Sequence, residues 1–270
     1  MADPALAQTL KKRAAVLRRH MITMASGGQY IHLGGSMSIA DLMAALFFHF
    51  LELEDGERPR DHFILSKGHT VHALHACLAE LGKVEVSEFS TLGQVGSRLA
   101  GHPSLKAPLV ELATGSLGHG LSVGIGIAMA EALNGRGSRT VVLMGDGELQ
   151  EGSVWEAALC APRFGLENLL AIVDRNAFQA SGAVDQILPL DPLEEKWQSF
   201  RWNTRVIDGH DMGAILTALE RFPADEGPTA LIANTVKGKG VPAVEGTARS
   251  HYLSLSDDEI EEAIAALEVV

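Results

Sequence analysis

An aspartate and an asparagine stand at two positions of the chain where a metal site could form. Asp146 lies in a Gly-Asp-Gly turn after the apolar run 140–144, and Asn176 comes soon after the next apolar run, 169–173. The two runs are predicted to be neighbouring parallel strands joined by a helix, so the residues after them should meet at one edge of a sheet. A carboxylate and an amide oxygen at that edge are suitable ligands for a hard cation.

The surroundings of this pair suit a metal-bound diphosphate. With the backbone carbonyl of Phe178, the pair supplies three oxygens, and two diphosphate oxygens and a water would complete the octahedron that Mg²⁺ requires. Gly145 and Gly147 let the backbone approach an anion closely, and a helix predicted from Leu149 would direct its N-terminal dipole toward it. A lone Gly-Asp-Gly is more often an ordinary turn, whereas the succession of strand, turn, helix, strand and asparagine is specific. The same oxygens would also accept Ca²⁺.

Two other common phosphate-binding motifs are absent from the sequence. No Gly-x-x-x-x-Gly-Lys-Ser/Thr segment occurs, which argues against a P-loop. The Gly-x-Gly segments at 118–120 and 124–126 lack the third glycine of a dinucleotide-binding fingerprint, because Val123 and Met129 stand in its place. ATP and NAD are therefore disfavoured as ligands.

Short apolar runs alternate with helical segments along most of the chain. This alternation predicts an α/β fold, a doubly wound and mainly parallel sheet with helices on both faces. Residues 1–270 are expected to form one domain, with an N-terminal helix in 1–26 and a C-terminal helix in 256–270 as peripheral elements. The predicted strands are 62–66, 140–144, 169–173, 203–207 and 229–233, and the other predicted helices include 38–50, 121–133, 149–163 and 212–221.

The composition argues against some classes of partner. The formal net charge is −12 and the isoelectric point is about 5.3, so the surface would repel a nucleic-acid backbone. No apolar run reaches the ~18–20 residues that span a bilayer, and the N-terminus lacks a signal-peptide pattern. Cys77 and Cys160 lie in apolar helical stretches and are predicted to be buried free thiols. A cytoplasmic location is expected.

The segment GDGELQEGSVWEAALCAPRFGLENLLAIVDRN, residues 145–176, resembles the thiamine diphosphate signature, in which Gly-Asp-Gly is followed one helix and one strand later by asparagine. Its GDG-x-LQEG form resembles transketolases. The likeness extends from about residue 24 to residue 251, and it includes YIHLGGSMS, SKGH, SRLAGHPS and TGSLGHG in the order of the family. The resemblance implies the diphosphate-binding domain of a thiamine diphosphate enzyme.

The resemblance also implies roles for residues at matching motif positions. His32, His69 and His102 match histidines that line the substrate channel, and His251 matches a late histidine near the diphosphate and the substrate. Imidazoles suit sugar hydroxyls and oxyanions because they titrate near neutral pH. The implied metal ligands are Asp146, Asn176 and the carbonyl of Phe178. The implied cofactor contacts are His69, Gly115, Ser116, Leu117, Gly145, Asp146, Gly147, Glu148, Asn176 and His251.

The sequence departs from the family pattern in two places. Ile31 and Leu33 flank His32 where the family usually has glycine and proline, and His119 stands where glutamine is common. These departures bear on the substrate more than on the cofactor.

Two alternative functions stay open at this point. Decarboxylases and dehydrogenase α subunits that act on 2-oxo acids share the Gly-Asp-Gly and asparagine signature, although they generally lack the three channel histidines and the LQEG continuation. A cofactor-binding module without activity is the other alternative.

The family's pyrimidine-binding domain has no counterpart in this sequence. That domain supplies a glutamate to the N1′ atom of the cofactor, and the phosphate-recognising arginines of the family lie in the same part. The resemblance therefore implies one subunit of a split transketolase, completed by a C-terminal, pyrimidine-binding subunit in an α₂β₂ assembly. The implied reaction moves a two-carbon ketol unit from a ketose or its phosphate to an aldose or its phosphate. The identity of both sugars is left open.

Overall fold

The structure is a computed structural model that describes residues 3–26, 28–54, 60–223 and 226–268. Its strands are β1 His62–Leu65, β2 Thr140–Gly145, β3 Leu169–Arg175, β4 Phe178–Gln179, β5 Gly182–Ala183, β6 Asn203–Asp208 and β7 Thr229–Asn234. Its α-helices are α1 Pro4–Met24, α2 Leu33–Ser38, α3 Ala40–Ala45, α4 Val71–Glu80, α5 Gly120–Leu133, α6 Gly152–Cys160, α7 Val184–Ile187, α8 Leu193–Ser199, α9 Met212–Glu220 and α10 Asp257–Leu267.

A parallel sheet with the strand order β1-β2-β3-β7-β6 forms the centre of the molecule. β2 and β3 are paired along their whole shared length, and Gly145 at the end of β2 lies opposite Asp174 near the end of β3. This register confirms the predicted neighbouring strands and brings Asp146 and Asn176 to the same edge of the sheet. β4 and β5 form a separate antiparallel pair just beyond that edge.

Alternate residues of the central strands enter two apolar cores on opposite faces of the sheet. Val141 and Leu143 of β2 pack with buried residues of α1, α3, α4 and α9. Val142 and Met144 of the same strand pack with buried residues of α5, α6 and α8. Strands that are buried on both faces need apolar residues at every position, which explains their unbroken apolar runs. The predicted doubly wound α/β fold is confirmed.

Helices α1 and α10 pack against each other and contribute to the first of these cores. Leu17 and Met21 of α1 are fully buried, as is Ala263 of α10. The single-domain organisation of residues 1–270 stays a prediction. Among the residues described, no helix combines the length and the apolar character needed to cross a membrane.

Two predicted helices differ from the structure. Ser38 does not cap a long helix: it ends α2, a π-helical turn over Leu46–Phe50 follows α3, and the Ser38 hydroxyl donates to Asp174 across the sheet edge. The helix predicted from Leu149 to Arg163 is shorter, because 3-10 turns over Gly147–Gln150 and Ala161–Phe164 flank α6. Pro162 lacks the amide hydrogen that would continue α6.

The predicted burial of the two cysteine thiols is right for one of them. Cys77 is buried in α4, and Cys160 is exposed at the end of α6. Cys160 falls on the outer side of α6, whereas Val154, Ala157 and Ala158 form its buried side. An apolar stretch by itself does not show which face of a helix meets the core.

Candidate active site

A cavity of about 400 Å³ lies at the carboxyl ends of β2 and β3. Most of the residues singled out in the sequence line it: His32, His69, Gly115, Leu117, Gly145, Asp146, Gly147, Glu148, Asn176, Phe178 and His251. Two do not. Ser116 is exposed in the loop before α5, and His102 lies at the rim, where its ring centroid is 5.9 Å from that of His32.

Asp146 occupies the floor of the cavity with its carboxylate held by the backbone. Its Oδ1 accepts a hydrogen bond from the N–H of Gly147 at 2.7 Å, and its Oδ2 accepts one from the N–H of Ala177 at 2.6 Å. Burial and the nearby carboxylate of Asp174 raise the pKa of Asp146 to about 6. Within the described part of the chain no ion pair neutralises Asp146, so a bound cation would offset both effects.

Asn176 and Phe178 supply the other two oxygens of the predicted metal site. The Asn176 Oδ1 accepts from the N–H of Phe178 at 3.1 Å, and its Nδ2 donates to Asp174 at 2.7 Å. The Phe178 carbonyl accepts from the Lys237 ammonium at 2.8 Å. A carbonyl oxygen has two lone pairs, so each of these oxygens can still bind a cation.

The chemistry of this oxygen set fits a hard divalent cation. Among the described residues no group of three or more His, Cys, Asp or Glu side chains is placed to hold a metal ion. A metal at this edge must therefore use one carboxylate together with amide and carbonyl oxygens, and waters or phosphate oxygens would complete its shell. Mg²⁺ and Ca²⁺ accept such ligands, whereas Zn²⁺ prefers nitrogen and sulfur.

Three histidines form a compact cluster above the Gly-Asp-Gly turn. The ring centroids of His32, His69 and His251 are separated by 5.3, 5.3 and 5.4 Å. Burial lowers the pKa of His32 and His251 to about 4 and that of His69 to about 2, and neighbouring lysines and histidines add to the effect. The three imidazoles are thus neutral at pH 7, and each can both donate and accept a hydrogen bond.

Two lysines in the cavity wall were not found from the sequence. Lys67 forms a buried ion pair with Asp174, and Lys237 donates to the Phe178 carbonyl and contacts His251 Nδ1 at 3.0 Å. Burial, with the nearby Lys67 ammonium, lowers the pKa of Lys237 to about 8. Lys237 follows β7, which neighbours β3, so the rule that ligands bind beyond strand ends could have pointed to it.

Glu148 joins three segments of the cavity wall. Its Oε1 accepts hydrogen bonds from the Ser66 hydroxyl and, at 2.9 Å, from the Gly118 N–H, and its Oε2 accepts one from the Gly145 N–H at 3.1 Å. Burial raises the pKa of Glu148 in spite of these donors. Its predicted contact with the cofactor stays a prediction, since the carboxylate is already engaged by protein groups.

At two glycines of the cavity wall, an added Cβ would press on a neighbouring side chain. A Cβ on Gly147 would lie 3.0 Å from the Cβ of Gln179. Gly115 has a φ of +152°, and a Cβ there would lie 3.1 Å from the His102 ring. Both glycines also line the cavity, so their backbone borders the space in which the ligand is expected.

The positions that depart from the family pattern have different surroundings. Ile31 and Leu33 are buried, and Ile31 forms an antiparallel bridge with Leu253 through two backbone hydrogen bonds of 3.0 and 3.1 Å. This bridge places Tyr252 against His32, with ring centroids 4.7 Å apart. His119 is exposed, and its Nδ1 lies 3.0 Å from the Leu117 carbonyl. Ile31 and Leu33 therefore act in packing.

The fold and the cavity define a thiamine diphosphate-binding α/β domain, with a glycine turn, an aspartate and an asparagine, and a histidine cluster at the ends of parallel strands. A family model described as "Transketolase, thiamine diphosphate binding domain" matches residues 8–268. The chain belongs to this family, which confirms the resemblance drawn from the motifs.

Individual relatives give the same result. An apulose-4-phosphate transketolase subunit of Phocaeicola vulgatus is 37% identical over 261 residues, covering 95% of this chain and 93% of that protein. The 6-deoxy-6-sulfo-D-fructose transketolase subunit SqwG of Clostridium sp. is 38% identical over 242 residues, covering 88% of each. The solved transketolase of Campylobacter jejuni superposes with a TM-score of 0.87 at 27% identity, covering 99% of this chain and 43% of that one. The chain thus spans less than half of the solved transketolase and nearly all of the named subunits.

Proposed function

We propose that this chain is the N-terminal, cofactor-binding subunit of a heteromeric transketolase. The reaction is the transfer of a two-carbon ketol unit from a ketose, or its phosphate, to an aldose or its phosphate. The observation that carries the proposal is the meeting of Asp146, Asn176 and the histidine cluster in one cavity. The similarity to relatives named as transketolase subunits, along nearly their full length, supports it.

In this proposal the floor of the cavity holds Mg²⁺ or Ca²⁺ with the diphosphate. The Asp146 carboxylate, the Asn176 amide oxygen and the Phe178 carbonyl would hold the metal, and the backbone at Gly145 and Gly147 would border the anion. Thiamine diphosphate supplies, when bound, the nucleophilic carbon on which ketol transfer depends.

The histidine cluster orients the sugar in this proposal. His32, His69 and His251 are neutral because of their lowered pKa values. His32 and His69 can each donate to one hydroxyl and accept from another, whereas His251 Nδ1 already accepts from the Lys237 ammonium, so that ring offers the sugar a donor. His102, at the rim, extends this lining toward solvent. An array of neutral imidazoles can hold a polyhydroxylated chain by hydrogen bonds, and because the pKa values of these rings lie well below 7, their role is to orient the sugar.

A second polypeptide completes the site in this proposal. Three similar proteins of matching length are named as subunits. We infer an α₂β₂ assembly with a pyrimidine-binding partner in the cytoplasm, where the exposed thiol of Cys160 would stay reduced.

The comparisons do not favour the two alternatives left open by the sequence. The relatives that match this chain along nearly their full length are named as transketolase subunits, and none of those described above is named as a 2-oxo acid enzyme or as a module without activity.

The test is a calorimetric titration of the purified chain with thiamine diphosphate in the presence of Mg²⁺, with and without the partner. We expect binding that requires the metal, tightens with the partner and is lost in Asp146→Ala. Asp258→Ala, which removes an exposed carboxylate from α10, is the matched control and should bind as the wild type does. Absence of binding under both conditions would refute the cofactor site. Steady ketol transfer by the isolated chain would refute the split enzyme.

A further inference from the structure

Asp174 is a fully buried carboxylate that holds the edge of the sheet together without lining the cavity. Its Oδ2 accepts from the Ser38 hydroxyl at 2.8 Å, from Asn176 Nδ2 at 2.7 Å and from the Lys67 ammonium, and its Oδ1 accepts from the Thr235 hydroxyl. These donors belong to four segments: α2, the turn after β1, the residues after β3 and those after β7. One side chain therefore fixes the mutual positions of four pieces of backbone.

The hydrogen bond from Asn176 decides which atom of that amide faces the cavity. A carboxylate only accepts hydrogen bonds, so the atom next to Asp174 must be the amide nitrogen. The backbone N–H of Phe178 only donates, so the atom next to it must be the amide oxygen, at 3.1 Å. Both neighbours thus demand the same orientation, and the oxygen is the atom offered to a cation.

Through its ion pair with Lys67, Asp174 also holds the turn that carries His69. The Lys67 ammonium donates to Asp174 and to the Gly35 carbonyl, at 3.1 Å for the latter, and its side chain is 1% exposed. Gly68, between Lys67 and His69, packs so closely on the next loop that a Cβ would lie 2.9 Å from the Gly115 nitrogen. A shift of Lys67 would therefore displace His69 and Gly115 together.

We propose that Asp174 is a positioning residue: it orients the Asn176 amide oxygen toward the metal and, through Lys67, sets the place of His69. This inference rests on the proposed function, because it assumes that Asn176 binds the metal. The partners that surround a metal ligand hold its orientation, and removing one typically weakens metal affinity by about 10–100-fold.

The test compares two double variants, both of which lack the buried charges of Lys67 and Asp174. Lys67→Met with Asp174→Asn removes both charges but keeps an oxygen that can accept from Asn176. Lys67→Met with Asp174→Ala removes both charges and that oxygen. Mn²⁺ binding in the presence of thiamine diphosphate, followed by electron paramagnetic resonance, should be about 10–100-fold weaker in the second variant than in the first.

A second readout does not depend on the metal. In the metal-free chain, the side-chain N–H protons of Asn176 should exchange slowly with solvent in the wild type and in the Asp174→Asn double variant, and fast in the Asp174→Ala double variant. Thr235→Val is the control for lost stability, because it removes a hydrogen bond to the other carboxylate oxygen and leaves Asn176 untouched. It should lower the urea midpoint and leave Mn²⁺ affinity unchanged.

The possible results distinguish a failure of the positioning role of Asp174 from a failure of the proposed function. Equal Mn²⁺ affinity and equally slow Asn176 exchange in both double variants would overturn the positioning role while the proposed function stands. If Thr235→Val lost Mn²⁺ affinity in proportion to its lost stability, Asp174 would act only through stability, and the positioning role would again be overturned. A wild-type chain that binds no Mn²⁺ with the cofactor, either alone or together with the partner, would overturn the metal site and, with it, the positioning role.

Discussion

His75 on α4 gives the sharpest prediction for stability. It is buried beside His72, with ring centroids 6.2 Å apart, and among the described residues neither Nδ1 atom has a hydrogen-bond partner. Burial lowers the pKa of His75 to about 4 and that of His72 well below its usual value. Neither ring lines the cavity, so their titration acts on folding rather than on the ligand.

The size of the stability change follows from the pKa of His75 in the folded and in the unfolded chain. The unfolded chain has a histidine pKa of about 6.5, and the folded chain has one of about 4. The unfolded state therefore takes up the proton first as the pH falls, so this contribution to stability is complete above pH 6.5 and is lost as the pH drops toward 4. The pKa difference corresponds to about 3.4 kcal/mol in total, of which about 2 kcal/mol is lost by pH 5.

Urea unfolding of the wild type and of His75→Leu at pH 7.5 and pH 5 tests this reasoning. The wild type should lose about 2 kcal/mol more unfolding free energy between the two pH values than the variant does. His49→Leu is the control: His49 is exposed in the π-helical turn, so folding changes its surroundings little. If His75→Leu lost as much stability on acidification as the wild type, protonation of this buried ring would not be the cause.

Three further predictions concern the helix and loops around the cavity. Gly124→Ala should lower the unfolding free energy in urea by about 1–3 kcal/mol, because its Cβ would meet Val142 Cγ2 at 2.4 Å. Gly126→Ala is its control: a Cβ there has nothing within 4 Å, so the same assay should show an unfolding free energy that is about 0.5–1 kcal/mol higher. Gly115→Ala should weaken thiamine diphosphate binding by at least about tenfold by calorimetry, since a φ of +152° strains any side chain there; unchanged affinity would mean that this loop does not border the ligand. His32→Ala should lower kcat/KM of the assembled enzyme by about 10²-fold and leave the cofactor dissociation constant unchanged; a change confined to that constant would place His32 at the cofactor instead.

The sheet and the edge that carries the site could be predicted from the sequence because both depend on local patterns. Alternation of apolar runs with helical segments predicts parallel strands, and residues that follow parallel strands meet at one edge. Asp146 and Asn176 satisfied both conditions. The histidines were accessible only through motif resemblance, since His32 and His251 come from distant segments that the bridge between Ile31 and Leu253 joins.

Other features depend on long-range contacts that no local pattern reveals. A lysine such as Lys67 is usually predicted to be exposed, and its burial requires Asp174, more than one hundred positions away. The helix after the Gly-Asp-Gly turn begins later than its apolar pattern indicates, because Glu148 points inward to Ser66 and Gly118 instead of joining a regular helical turn. These arrangements become visible only when the segments are assembled.

The hydrogen bonds of Glu148 have a consequence for the order of events in folding. Its partners Ser66, Gly118 and Gly145 belong to segments that meet only after β1 and β2 have paired and α5 has docked on them. Contacts between distant segments form late, because closing long loops costs chain entropy before any contact repays it. The cavity should thus be among the last parts of the chain to form, and a peptide that carries the Gly-Asp-Gly motif and Asn176 alone should not bind the diphosphate.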